Sequence, residues 1–279
     1  MPELPEVETV CRGLAKSLIG KRISKTEQHR RDLRAPMPHD LATRLKGQVV
    51  TGVSRRAKYI LIALDGGDTL ILHLGMSGRL LITPQAEKAG KHDHLVFHFD
   101  DQTCVRFNDP RRFGLCDLVK QDEVADHKWF RHLGIEPLGK ELTTAWLREK
   151  FQGKTTSIKT ALMDQRIVVG IGNIYASEAL FHAGISPKRK AGACSTAHLE
   201  KLVPAIRKVL NAAIAAGGSS LRDYRQTNGE LGYFQHNFAV YDREGQACPA
   251  CTCDLSKTGG VQRITQGGRS SFYCKTKQL

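Results

Sequence analysis

No stretch of this chain is apolar over the length needed to cross a bilayer, and no lipidation motif is present. Neither a membrane span nor a lipid anchor is therefore expected. The first residues are acidic rather than basic and lack the apolar run of a secretory signal, which argues for a cytoplasmic protein. Aromatics are few, 6% against 41% hydrophobic residues overall, yet 279 residues still supply a good core and room for two domains. Carboxylates are the second shortage: 28 Asp and Glu stand against 42 Lys and Arg, a net charge of +14. That balance points to a polyanionic partner, nucleic acid first and an anionic membrane surface second. No internal repeat or low-complexity block appears, and nothing suggests an oligomer.

Cysteine is not scarce, but its eight residues are unevenly placed. Cys11, Cys104, Cys116 and Cys194 lie singly among apolar segments and read as buried free thiols. Cys248, Cys251, Cys253 and Cys274 lie near the C-terminus and read as a metal site.

The opening Met1-Pro2-Glu3-Leu4-Pro5-Glu6 sets a proline behind the initiator methionine and surrounds it with carboxylates. Removal of Met1 would expose a secondary amine with a reference pKa near ~8, partly unprotonated at neutral pH. Such an amine can attack a sugar or carbonyl carbon and form an iminium adduct. Two ionised carboxylates would raise its pKa, so one glutamate is expected to be protonated in the reactive complex. The same residues also read as a helix start, with proline in the first turn and acids against the helix dipole.

Val7, Val10, Cys11, Leu14 and Leu18 recur at helical spacing up to Gly20 and predict one amphipathic helix. From about Lys21 to Leu118 short β-runs take over. Tyr59–Leu64 and Thr69–Leu74 are joined by Asp65-Gly66-Gly67-Asp68, and Leu95–Phe99 and Thr103–Phe107 are joined around Asp100-Asp101. A β-sandwich with a leading helix accounts for them. Beyond a hinge at Leu133–Pro137, helices are expected over Thr143–Phe151, Ile158–Met163, Ile174–His182 and Ala197–Ala216. The Gly170-Ile171-Gly172-Asn173 turn leads into one of them, with Asn173 as its expected cap. Such a turn serves either phosphate binding or helix packing, and without a preceding strand and third glycine it is not a dinucleotide fingerprint. Residues from Leu255 to the end carry Lys257, Arg263, Arg269, Lys275 and Lys277 with no acid, which suits a β-hairpin against a phosphate backbone.

Seven blocks in order now carry a resemblance: the opening hexapeptide, Arg55–Tyr59, His73–Gly78, Lys91–His94, Asp109–Gly114, Gly170–Ala176 and Arg269–Cys274. Together, over essentially the whole chain, they resemble the bacterial formamidopyrimidine-DNA glycosylases. The Leu4 variant of the opening and the Gly217–Gln235 segment are more similar to these enzymes than to their relative endonuclease VIII. The resemblance implies an α+β protein: a catalytic β-sandwich domain with its N-terminal helix over 1–134, a helix-two-turn-helix domain over 135–238, and a zinc-finger-like hairpin over 239–279. It implies excision of 8-oxoguanine and ring-opened purines from double-stranded DNA, then cleavage at the abasic site by β,δ-elimination, all by one monomeric enzyme.

The resemblance also implies roles. Pro2 attacks C1′, Glu3 is the acid at the sugar, and Glu6 supports proton traffic or holds the site. Lys58 reaches a phosphate or assists elimination, and Arg269 contacts the backbone and assists the second elimination. Met76, Arg111 and Phe113 fill the void left by the rotated lesion and face the orphaned cytosine; a glycosylase must extrude its base, and such side chains suit intercalation. His73, His92, Lys154, Lys159 and Asn173 match phosphate-contacting positions.

The chain departs from the family's Cys-x2-Cys…Cys-x2-Cys finger at its end. Cys248, Cys251 and Cys274 match three ligands, Lys277 occupies the fourth position, and the intervening stretch is longer and holds the extra Cys253. An ammonium has no lone pair for a metal. The expectation is one structural Zn2+ on Cys248, Cys251, Cys253 and Cys274, with a metal-free hairpin as the alternative. Two alternatives stand for the function: an oxidised-pyrimidine glycosylase like endonuclease VIII, and a DNA-binding protein with no catalysis.

Overall fold

The computed structural model of the protein describes residues 1–84, 88–220, 224–252 and 254–279. It forms two compact units, one of residues 1–131 with 214–235 and one of 132–213 with 236–279. The first boundary lies close to the expected 134. The rest of the expected division differs: 214–235 returns to the N-terminal unit, and the cysteine-bearing end belongs to the helical unit rather than standing as a third domain. Among the described residues no helix is long and apolar enough to cross a membrane.

The first unit runs α1 (Leu4–Leu18), β1 (Ile23–Gln28), α2 (Leu41–Leu45), β2 (Val50–Arg56), β3 (Tyr59–Leu64), β4 (Asp68–His73), β5 (Arg79–Pro84), β6 (Asp93–Phe99), β7 (Thr103–Asn108) and β8 (Leu115–Lys120). These strands make two four-stranded sheets, ordered β1-β6-β7-β5 and β2-β3-β4-β8. All pairings are antiparallel, including both hairpins read from the sequence. The period-two alternation of each strand turns one set of side chains inward, so Ile60, Ile62, Leu70 and Leu72 share a core with Leu95, Phe97, Val105 and Phe107. Val7, Val10, Leu14 and Leu18 of α1 join the same core, which fixes the helix and its N-terminus to the sandwich.

Antiparallel alternation also gathers connections. Arg79 at the start of β5 and Asp93 at the start of β6 both pair with Asn108 at the end of β7. In the other sheet, His73 at the end of β4 pairs with Tyr59 and with Leu115 at the start of β8. The segments carrying Lys58, Met76, His92 and Arg111–Phe113 therefore all leave the strands at these paired ends.

The second unit contains α3 (Thr144–Phe151), α4 (Ile158–Leu162), α5 (Asn173–Ala183), most of α6 (Thr196–Ala215), α7 (Leu255–Thr258), β9 (Gln262–Gln266) and β10 (Arg269–Tyr273). Thr143 and Ser157 cap α3 and α4 through their hydroxyls. Gly172, not Asn173, is the N-cap of α5; Asn173 is its first helical residue, because its side chain is committed elsewhere. Gly267 and Gly268, both at positive φ, close the β9–β10 hairpin and put Arg269 at its tip. Phe181 packs with Val240, Val261 and Phe272 beneath the hairpin. The buried Glu178 of α5 accepts the N–H groups of Ala239, Val240 and Tyr241 at 2.9, 3.0 and 2.9 Å, tying the helix to the segment that enters the cysteine-bearing end.

Candidate active site and metal cluster

Pro2, Glu3 and Glu6 are all buried at the start of α1. Glu6 Oε2 accepts the N–H of Glu3 at 2.8 Å, and its Oε1 accepts the N–H of Ser219 at 2.8 Å. One carboxylate thus holds both the backbone beside the candidate nucleophile and the 214–235 segment of the same unit. Gly218 lies at φ +81°, and a Cβ there would sit 3.0 Å from Glu6, so the approach requires glycine twice over. Tyr224 donates to the carbonyl of Gly217 at 3.1 Å; burial, then the nearby Glu6, pushes its phenol up.

Lys58 sits in the two-residue turn Ala57-Lys58 between β2 and β3, and Ala57 takes a left-handed φ of +54°. Arg55 holds this turn: its Nη1 donates to the Ala57 carbonyl at 2.9 Å while its Nε donates to Glu8 of α1 at 3.0 Å. The same arginine therefore fixes Lys58 relative to the helix that bears Pro2. His73 lies across the β3–β4 ladder from Tyr59. The Gly75 N–H donates to His73 Nδ1 at 3.0 Å, so the neutral ring carries its proton on Nε2. Burial, with Lys58 and Arg34 nearby, holds this ring at a pKa of about 4.

Met76 and Phe113 are among the exposed large hydrophobic residues, at 37% and 42% exposure, and the Arg111 guanidinium lies 4.9 Å over the Phe113 ring. Arg112 between them adopts φ +58°, a strained backbone in an exposed loop. His92 is half-buried at the entry to β6. These are the properties of side chains held ready for a partner rather than for a core.

In the second unit, Lys159 is 1% exposed and its ammonium donates to Asn173 Oδ1, to the Ser270 carbonyl at 3.0 Å and to Ser271 Oγ at 2.7 Å. Asn173 Nδ2 donates to the same Ser270 carbonyl at 2.9 Å. Lys159 and Asn173 thus brace the strand that starts with Arg269, and Lys159 reads as an internal brace more than as an open phosphate ligand. Gln165 holds the preceding turn by accepting the Gly170 N–H at 2.8 Å and donating to the Ile171 carbonyl at 2.9 Å. Half-buried Lys154, buried Lys159, and exposed Arg166 and Arg269 border a cavity of about 440 Å³ against the single carboxylate of Asp164.

The sulfurs of Cys248, Cys251 and Cys274 lie within 4.8 Å of one another. Cys248 and Cys251 are 2.9 Å apart and Cys251 and Cys274 3.5 Å. Although burial acts against it, the Cys274 thiol is held below its usual range by the backbone N–H groups of Lys277 and Thr276 and by the other two cysteines. Three converging cysteine sulfurs are a soft donor set fit for a metal such as zinc. Cys253, the expected fourth ligand, lies outside the described residues. The Lys277 side chain supplies no ligand: its ammonium sits 4.6 Å over the Phe181 ring. Of the four single cysteines, Cys11, Cys104 and Cys116 are buried free thiols as expected, while Cys194 is half-exposed.

Ser219, Arg55, Glu8, Gln165 and Ser271 were not among the expected site residues. Ser219, Arg55, Glu8 and Ser271 act by touching residues far along the chain, which no local pattern marks, and Gln165 acts within its own loop on Gly170 and Ile171.

Two family models match the chain: the formamidopyrimidine-DNA glycosylase N-terminal domain over residues 1–116 and the formamidopyrimidine-DNA glycosylase H2TH domain over 133–225. Among curated relatives, the formamidopyrimidine-DNA glycosylase of Ruegeria sp. (strain TM1040) is 54% identical over 98% of both chains. That of Rhodospirillum rubrum is 52% identical over 100% of both. Among solved structures, a mutant Lactococcus lactis enzyme bound to DNA containing Fapy-dG superposes with a TM-score of 0.89 at 32% identity over 100% of each chain. The MutM (Fpg) protein of Thermus thermophilus gives 0.86 at 36% identity over 99% of this chain and 98% of that one.

Proposed function

The chain belongs to the formamidopyrimidine-DNA glycosylase family, and from that premise we propose how its residues carry out the reaction. It is an oxidised-purine DNA glycosylase. The observation that carries the mechanism is the buried N-terminus of α1, where the Glu6 carboxylate fixes the backbone one residue from Pro2.

With Met1 removed, the Pro2 amine attacks C1′ of the damaged nucleotide; the bond from C1′ to the base breaks, and the base leaves with that electron pair and takes up a proton. The proline nitrogen, cationic after the attack, gives up its N–H proton to the departing base; Glu3 then supplies a proton to O4′, the C1′–O4′ bond opens, and the regenerated nitrogen lone pair closes an iminium to the opened sugar. Loss of the 3′ and then the 5′ phosphate by successive eliminations releases the strand ends, with Lys58 and Arg269 assisting. Glu6 organises rather than reacts, since both its oxygens accept backbone N–H groups. Met76, Arg111 and Phe113 occupy the space the extruded nucleotide leaves, and Arg111 reads the opposite cytosine.

His73 meets a phosphate as a neutral Nε2–H donor, while His92, Lys154 and Asn173 supply further contacts and Lys159 supports Asn173 and the arginine-tipped strand. Cys248, Cys251 and Cys274, with Cys253 as fourth ligand, would hold one structural zinc; the metal contributes folding energy to the hairpin and no chemistry.

Borohydride trapping on abasic duplex tests the reading. A covalent adduct at Pro2 is expected from the enzyme and from no protein that merely binds DNA. An excision panel pairing 8-oxoguanine and formamidopyrimidines with oxidised pyrimidines separates this specificity from that of endonuclease VIII.

A further inference from the structure

Asp109 is 0% exposed, has no place in the chemistry above, and links three segments assigned to DNA contact in the first unit. Its Oδ1 accepts the hydroxyl of Ser77 at 2.6 Å, and its Oδ2 accepts the N–H of Gly114 at 2.8 Å. Its own N–H donates to the His92 carbonyl at 2.9 Å, and its carbonyl accepts His94 Nε2–H at 2.9 Å. Ser77, itself 3% exposed, passes the connection on: its Oγ accepts the N–H of Arg111 at 3.1 Å. The bonds thus run from the Met76 segment, through Ser77 and Asp109, to both sides of the Arg111–Phe113 segment.

The two segments also approach more closely than any side chain allows. A Cβ on Gly75 would lie 2.4 Å from the carbonyl carbon of Phe113, and one on Gly114 would lie 3.0 Å from Asp109 Oδ2 and 2.6 Å from the Phe107 ring. Gly75 is at φ +60°, and the Gly78 N–H closes its turn on the Leu74 carbonyl at 2.8 Å. Exposed Met76, Arg111 and Phe113 are therefore mounted on a buried, hydrogen-bonded polar frame. A site that must hold groups to within a fraction of an ångström needs such support, because side chains on free loops do not keep a productive geometry.

We propose that Ser77 and Asp109 are positioning residues that lock the Met76 and Arg111–Phe113 segments into one rigid wedge, and that reading of the base opposite the lesion depends on this lock. The inference rests on the assignment of Arg111 as the reader of that base. Ser77 acts on Arg111 through its backbone N–H, so its loss shifts the guanidinium without touching the DNA.

The test measures excision of 8-oxoguanine opposite cytosine and opposite adenine by Ser77→Ala, Asp109→Asn, Arg111→Ala and the double variant Ser77→Ala/Arg111→Ala. Thermal unfolding accompanies each. A bidentate base contact is worth about one to two orders of magnitude in preference, so a misplaced Arg111 should cost Ser77→Ala about tenfold of the cytosine-to-adenine ratio. In the double variant the ratio should fall no further than in Arg111→Ala alone, because both changes act through one side chain. Folded Ser77→Ala and Asp109→Asn that slow equally against both opposite bases, leaving the ratio unchanged while Arg111→Ala loses it, would overturn the lock alone. An unchanged ratio in Arg111→Ala would overturn the parent assignment and the lock with it. Should Asp109→Asn not fold, Ser77→Ala decides, since it removes one oxygen and leaves the buried carboxylate bonded to Gly114.

Discussion

Glu6 and Ser219 lie 213 positions apart and meet in one hydrogen bond, Ser219 N–H to Glu6 Oε1 at 2.8 Å, while the other oxygen of the same carboxylate holds Glu3. A glutamine at position 6 keeps the shape but turns its amide NH₂ toward one of these donors. A buried unsatisfied donor costs about 1–3 kcal/mol. Glu6→Gln is therefore expected to lower the thermal midpoint and to slow lesion excision by about tenfold or more. A midpoint and rate equal to those of the parent would refute the bridging role.

Pro2→Gly should lose most excision and borohydride trapping while keeping its affinity for abasic duplex, because the amine reacts and the phosphate contacts lie elsewhere. The mature protein should begin at Pro2. Intact-mass analysis of fully active protein that retains Met1 would sink the nucleophile assignment.

Lys154 and Lys159 should separate cleanly. Lys154→Ala removes a half-buried charge beside the cavity and should reduce the log–log salt slope of DNA binding by roughly 0.9 with little change in stability. Lys159→Met strands Asn173 Oδ1 and Ser271 Oγ, each at a cost of about 1–3 kcal/mol unless water enters, while the Ser270 carbonyl keeps the Asn173 Nδ2 donor. A large drop in thermal midpoint is expected there. Equal stability of the two variants would contradict the brace.

His73 should make the protein acid-sensitive. Its ring is held at about 4 in the folded chain against ~6.5 in an unfolded one, so the unfolded state binds the extra proton between these values. The stability it contributes is fully present above pH ~6.5 and is lost as pH falls toward 4. His73→Gln should flatten the dependence of thermal midpoint on pH across this window. A slope identical to that of the parent would show that the ring is not buried neutral.

For the metal cluster, elemental analysis should find one zinc per chain, lost in Cys274→Ser and weakened by Cys253→Ser, with a chelator lowering the thermal midpoint. Fully active protein free of zinc would decide for a hairpin held by packing on Phe181, Val240 and Phe272 alone.

Much of this was legible along the chain because it is written in local terms. Helical spacing from Val7 to Leu18 marked α1, period-two runs flanking Asp-Gly and Asp-Asp turns marked both hairpins, and apolar residues at helical spacing marked α3 to α6. The proline amine, its paired glutamates and the cysteine cluster were legible from residue type, whereas the lysine, histidine, void-filling and arginine positions were given by the resemblance to the family. Short elements with weak periods, α2 and β1 among them, left no such trace. Asn173 was misplaced by one position at its helix start because capping preference ignores a lysine and a strand that claim the side chain first.

The sequence by itself determined the class of the protein: a basic chain, a leading amphipathic helix, a sandwich followed by helices, and the reactive groups. Each follows from propensity, periodicity or ionisation, which depend on neighbours a few positions away. Tertiary structure alone decided what those groups can do. It returned residues 214–235 to Glu6, turned the Lys159 ammonium inward onto Asn173, sent Lys277 to the Phe181 ring instead of the cysteines, and set Asp109 under two exposed loops. Those outcomes rest on hydrogen bonds and close backbone approaches between distant segments, whose energies exist only once the sheets and helices have brought the partners together.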